Sequence, residues 1–232
     1  MYFKRKDWQG MKIDEKNLLG SILESLSHID YIKPKDLPNI DLYMDQVTTF
    51  MDSQLKESKR FSDDKILTKT MINNYAKNDL LPPPEKKKYS KEHVLLLTFI
   101  YYFKNIMSIN DIKSLLEPLG KEFYYKKKEV SLEEIYTSIQ QLEVDKLPDI
   151  QQEIERLIVE SKGIFTNQQE GDKEFLELFA LISMLSFDIY VKKQLIEKII
   201  DYMELDRQKR EKTERKSKEK VCKENLEGEK VK

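Results

Sequence analysis

Cysteine is nearly absent from the chain: Cys222 stands alone in a charged stretch, with no cysteine or histidine partner at ligand spacing. Neither a disulfide framework nor a cysteine-based zinc site can be built from it. Histidine is as scarce, and His28 and His93 have no nucleophile or metal-ligand pattern around them. Both read as surface or helix-cap residues. A glycine-rich phosphate loop, paired cysteines and a His-Glu-x-x-His helix are all missing. The acidic pairs Glu133/Glu134 and Asp63/Asp64 fall at helix starts or in loops, where charge complements the helix dipole or water. The expectation is a protein that is not an enzyme and uses no metal or cofactor. The longest uncharged apolar run, Leu178 to Phe187, has ten residues, well short of the ~20 that a bilayer-spanning helix needs. The opening MYFKRKDWQG has charges with no apolar run behind them, so no signal peptide is read there. Periodicity begins only after Met11, which makes that residue an alternative start. Together these features predict a soluble, cytoplasmic protein without membrane contact.

Charge is what the chain has in plenty. Charged residues make up 36% of its 232 residues, against roughly 25% in an average globular domain. With only 6 glycines and 7 prolines, this favours long solvated helices and an all-α fold. The formal net charge is −1, so the chain is no general polyanion binder, and a nucleic-acid role would need a local basic patch.

Helical periodicity and stop signals divide the sequence into four parts. Residues 1–35 hold an amphipathic helix over Asp14 to Ile29, closed by Pro34. Residues 36–120 hold four helices: one from about Asn39 to Leu55, a short one opening at Thr68, one from Lys91 to about Lys104, and one capped by Ser108 that Pro118 stops. The first two are joined by a polar loop, Lys56 to Lys65, whose only candidate core residue is Phe61. The third is apolar over most of its circumference, which predicts burial on more than one side. Residues 121–203 contain a helix opened by the Ser131/Glu134 capping box, another beginning at Pro148 and stopping at Gly163, and a long apolar stretch from Lys173 to Met203 with a break near Asp188. Residues 204–232 are almost entirely Lys, Arg, Glu and Asp, the composition of a solvated or disordered tail.

The second of the four helices, together with the turn and loop after it, forms the most distinctive stretch, LTKTMINNYAKNDLLPPPEKKKYSK over Leu67 to Lys91. Thr68 can cap the helix, with Leu67 and Ile72 as a hydrophobic staple. Three prolines, Pro82 to Pro84, force a turn, and Ser90 offers a new N-cap. Between Lys65 and Lys91 seven lysines face two acids, a local net of +5. Lys69, Thr70, Asn73, Asn74 and Lys77 are the polar residues of the short helix. Asparagine can read adenine edges, while lysine, threonine and a helix N-terminus suit phosphate. On composition alone the same residues also fit an ordinary solvated helix and a charged loop.

The order of these features resembles the DNA-binding domain of MerR-type regulators: a short helix ending in Leu80-Leu81-Pro82, a lysine-rich wing containing Tyr89, a Ser-capped helix, then a helix opened by Ser108-Ile109-Asn110-Asp111-Ile112. The stretch is most similar to a bacterial family of MerR-like proteins carried as a domain of unknown function. The resemblance covers about residues 36 to 120. It implies a winged helix-turn-helix that reads double-stranded DNA, with a C-terminal helical region that forms a homodimer or holds a small-molecule effector. Matched on Leu80-Leu81-Pro82, the family's Arg-Tyr-Tyr-Glu core becomes Asn73-Asn74-Tyr75-Ala76, and its usual glycine becomes Asp79. The implied DNA contacts are Thr68, Lys69, Thr70, Asn73, Asn74, Tyr75, Lys77, Lys86, Lys87, Lys88 and Tyr89. The expected function is a dimeric repressor reading a pseudo-palindromic operator. The alternative is a helical protein–protein adaptor whose lysine loop docks an acidic partner.

Overall fold

The structure, a computed structural model, describes residues 32–61, 63–120, 130–165 and 170–229, together with Gly20 and Asn167. Apart from Gly20, the amphipathic helix expected between Asp14 and Ile29 lies outside the described residues. Six α-helices account for most of the described chain: α1 Met44–Gln54, α2 Lys69–Lys77, α3 Lys91–Phe103, α4 Ile109–Leu119, α5 Leu132–Lys162 and α6 Glu170–Glu229. The only named strands among the described residues are β1, Leu42–Tyr43, and β2, Lys88–Tyr89. They pair antiparallel with Leu42 opposite Tyr89 and Tyr43 opposite Lys88.

Helix α3 is the axis of the core. From His93 to Tyr101 every residue is buried, because that stretch carries no lysine, arginine or carboxylate and must be covered on all sides. It packs against β2, α4 and the start of α5. One contiguous cluster runs from Ile32 through Val47, Met51, Ile72, Leu81, Leu95 and Ile112 to Leu132 and Tyr136. The Tyr136 hydroxyl donates to the Ile32 carbonyl at 2.7 Å, and Lys91 pairs with Glu133 at 2.8 Å. The unit expected at residues 36–120 therefore shares its core with Ile32 and with the first turns of α5.

Several expectations are corrected by tertiary context. The helix read from about Asn39 begins at Met44, because Leu42 and Tyr43 are drawn into the strand pair; the Tyr43 amide donates to the Gln46 side chain at 2.8 Å. Phe61 is 54% exposed, with Arg60 over its ring at 5.3 Å; Leu55 and Ile66 are the buried residues flanking that loop. Pro118 lies within the last turn of α4 and not beyond it. Pro148 lies inside α5, which spans both helices read on either side of it. Proline removes one intrahelical hydrogen bond, here the one to the carbonyl of Val144 four residues back, and Val144 is itself exposed, so water can reach that carbonyl. No break occurs at Asp188, and the charged segment read as a disordered tail continues α6 as far as Glu229. That helix packs on both α5 and α4, and Arg207 bonds Glu117 of α4 at 2.6 Å.

Candidate functional site

Helix α2 is short, and its sequence specifies both ends. The Thr68 hydroxyl accepts from the Met71 amide at 3.1 Å, and Leu67 and Ile72 are buried on either side of that cap. At the other end Asp79 adopts a left-handed φ of 57°. The Leu80 amide reaches the Tyr75 carbonyl at 2.9 Å, and the Asp79 amide the Ala76 carbonyl at 3.3 Å. These two bonds form the Schellman stop, with its usual hydrophobic contact supplied by buried Leu80 and Tyr75. Ile72 and Tyr75 fasten one face of α2 to the core. The opposite face presents Lys69, Thr70, Asn73, Asn74 and Lys77, all exposed, at the spacing that aligns side chains along a helix.

A proline turn carries the chain from α2 to a lysine hairpin. Leu80 and Leu81 are buried. His93, buried in the first turn of α3, accepts the Ser90 amide on Nδ1 at 3.0 Å, so the neutral ring carries its proton on Nε2 and donates it to the Pro82 carbonyl at 3.2 Å. Burial lowers the His93 pKa, outweighing the pull of the Pro82 and Pro83 carbonyls and of Glu92 and Asp41. Ser90 directs its hydroxyl to Glu92 at 2.6 Å. Beyond the prolines, Lys86 and Lys87 have φ of 49° and 64°, and the Lys88 amide closes on the Glu85 carbonyl at 2.9 Å. Two successive positive φ values between paired residues define a type I′ turn, whose preferred residues are Asn-Gly. Two lysines hold that conformation here, and both are exposed at its tip.

Of the sequence-predicted contacts, the structure brings Lys69, Thr70, Asn73, Asn74 and Lys77 together on α2, with Lys86, Lys87 and half-buried Lys88 on the hairpin. Thr68 is half-buried and its hydroxyl is engaged in the cap. Tyr75 and Tyr89 are corrections to the contact set: both are core residues, at 7% and 3% exposure, and burial raises both phenol pKa values. They position the helix and the hairpin and do not face outward. Two neighbours had no local signal in the sequence. Asp45 of α1 forms an ion pair with Lys69. Tyr43 is 53% exposed and lies under the Lys88 ammonium at 5.4 Å, a consequence of the β1–β2 register.

No group of three or more His, Cys, Asp or Glu among the described residues could hold a metal ion, and no described helix is long and apolar enough to cross a membrane. A cleft of about 450 Å³ opens between α4 and α6, bordered by Leu115, Glu117, Pro118, Ile200, Met203 and Arg207.

Compared with known proteins, residues 32–139 match the family described as Domain of unknown function (DUF1836). That span coincides with the contiguous core from Ile32 to Tyr136 and carries the whole of the lysine- and asparagine-bearing surface of α2 and the hairpin. No curated protein and no solved structure matches the chain.

Proposed function

We propose that the chain is a sequence-specific DNA-binding transcriptional regulator with a MerR-like head, α2 being the recognition helix and the Lys86–Lys87 hairpin its wing. One observation carries this reading. In a chain of net charge −1, a helix fastened at both ends and on one face exposes an amide- and lysine-bearing face, and a lysine hairpin comes directly after it. Asn73 and Asn74 are directed to base edges in the major groove, and Thr70, Lys69 and the N-terminus of α2 to phosphate. Lys86, Lys87 and Lys88 lie along the backbone or the adjacent minor groove. Two such heads on a dimer read a pseudo-palindrome.

A salt titration tests the reading directly. With Lys69, Lys77, Lys86, Lys87 and Lys88 of each protomer on phosphate, log K of the dimer falls with log salt at a slope of about −9. Binding that ignores salt, or that survives replacement of Lys86, Lys87 and Lys88 by Ala, rules the reading out. The Lys69–Asp45 pair favours a second reading, an adaptor whose lysines dock carboxylates of an acidic partner. Recovery of genomic fragments on the immobilised protein separates the two: enrichment of one short palindromic region supports the regulator, and uniform or absent recovery supports the adaptor.

A further inference from the structure

Beyond Arg207, α6 leaves the packed part of the molecule. Arg207 bonds Glu117 of α4, whereas every residue from Gln208 to Thr213 is exposed, and the helix continues to Glu229. From Gln208 to that end it runs on for ~33 Å at 1.5 Å per residue. Between Arg207 and Lys220 the sequence holds eight basic residues against three acidic ones, a local net of +5, and no apolar residue. In a chain of net charge −1, this excess equals the one around the hairpin. The basic residues are sorted by side. At 100° per residue, Lys209, Lys212, Lys216 and Lys220 all fall within about 40° of the direction opposite Arg207, and no other residue of the segment does. They therefore occupy the side of α6 turned away from α4.

An isolated charged helix does not require this sorting. Off the stripe, cations have acids at helical spacing: Arg207 pairs with Glu204 and Arg210 with Asp206, each at 2.8 Å. Arg215 and Lys218 follow Glu211 and Glu214 by four positions, the favourable order. On the stripe, Lys209, Lys212 and Lys216 have no acid four positions to either side, and Lys212, Lys216 and Lys220 succeed one another at that spacing. Like charges so placed cost helix stability, so the row suits an anion outside the chain. A membrane surface, or a helix-binding groove in a protein, would need apolar anchors beside the charges, and the segment has none. A regular array of phosphates needs only charge. From Lys209 to Lys220 the row spans ~17 Å, over which one strand of a duplex carries about five phosphates. We infer that this stripe is a second, sequence-independent contact with the phosphate backbone of double-stranded DNA, beyond the segment that the head covers. The choice of DNA rests on the reading of α2 and the hairpin given above; the demand for a polyanion rests on α6 alone.

Anisotropy titrations of the full chain test it, on a duplex of arbitrary sequence several helical turns long and at several salt concentrations. Lys209→Gln/Lys212→Gln/Lys216→Gln/Lys220→Gln is expected to reduce the slope of log K against log salt by about 3.6 per bound chain. Its far-UV helicity is kept, because glutamine is as good a helix former as lysine. Arg215→Gln/Lys218→Gln, which removes two charges from the paired side of the same segment, leaves the slope unchanged. An unchanged slope in the four-lysine variant, or a loss in proportion to charge in Arg215→Gln/Lys218→Gln, overturns the inference. So does wild-type binding to duplex RNA or to phosphatidylserine vesicles with none to duplex DNA. A slope that survives Lys86→Ala/Lys87→Ala/Lys88→Ala but falls in the four-lysine variant counts against the proposed function alone.

Discussion

His93 illustrates how one residue can hold α2 in place from a distance. Its ring is fixed between the Ser90 amide and the Pro82 carbonyl, so the turn after α2 is tied to the first turn of α3. Only the neutral ring can accept on Nδ1 while donating from Nε2. Because burial lowers its folded pKa, the unfolded chain binds the proton more readily. Stability is therefore complete above the unfolded value of about 6.5 and declines as pH falls from there through the lower folded value. Urea unfolding between pH 7.5 and 5 should show this decline, and His93→Gln, which cannot titrate, should lose that part of it. His93→Ala should cost about 1–3 kcal/mol by leaving the Ser90 amide and the Pro82 carbonyl without their partner. At this scale the sequence was half legible. The exposed set Lys69, Thr70, Asn73, Asn74 and Lys77 follows from helical period alone. The burial of Tyr75 and Tyr89 was not readable, because it depends on partners distant in sequence: β1 for Tyr89, and the core for Tyr75.

The helices and the hairpin carry different amounts of local information. Caps were readable because a hydroxyl or carboxylate three residues from an amide needs no tertiary help: Thr68, Ser108 and Ser131 all cap as their sequences imply. Prolines misled in the opposite direction. Pro118 and Pro148 sit inside helices whose ends are set by packing, and the strand pair that shortens α1 joins segments more than forty residues apart. The hairpin tip is where stability and function should separate. Non-glycine residues at positive φ cost on the order of 1 kcal/mol each, and the type I′ turn prefers Asn-Gly. Lys86→Asn/Lys87→Gly should therefore raise stability by about 1 kcal/mol, read as a higher urea midpoint with an unchanged m-value. The same variant should bind DNA more weakly and flatten the salt slope by nearly two units per protomer. A variant that is stabilised and binds as tightly as the wild type would remove the hairpin from the interface.

Across the whole molecule, two surfaces of opposite character respond to salt in opposite ways. On the proposed reading, the lysine face would act through counterion release and its binding would weaken as salt rises. Exposed apolar side chains of α6 such as Phe187, Leu195 and Tyr202 differ in this respect, because apolar burial is not screened by salt and is strengthened by sulfate or phosphate. Helix α6, 60 residues long, spans ~90 Å at 1.5 Å per residue and is joined to α4 through Arg207 and Glu117. The linkage makes a quantitative distinction. If two heads pair as proposed, the dimer should show a salt slope of about −9, whereas a variant that sediments as a monomer, with five lysines on one half-site, should show about −4.5. Affinity for the palindrome should fall with it, since the second head no longer binds as part of the same molecule, while affinity for an isolated half-site should be unchanged. Anisotropy titrations of both proteins on the full and half sites, at several salt concentrations, read all three quantities. An equal slope for the two proteins would mean that the heads bind independently of each other.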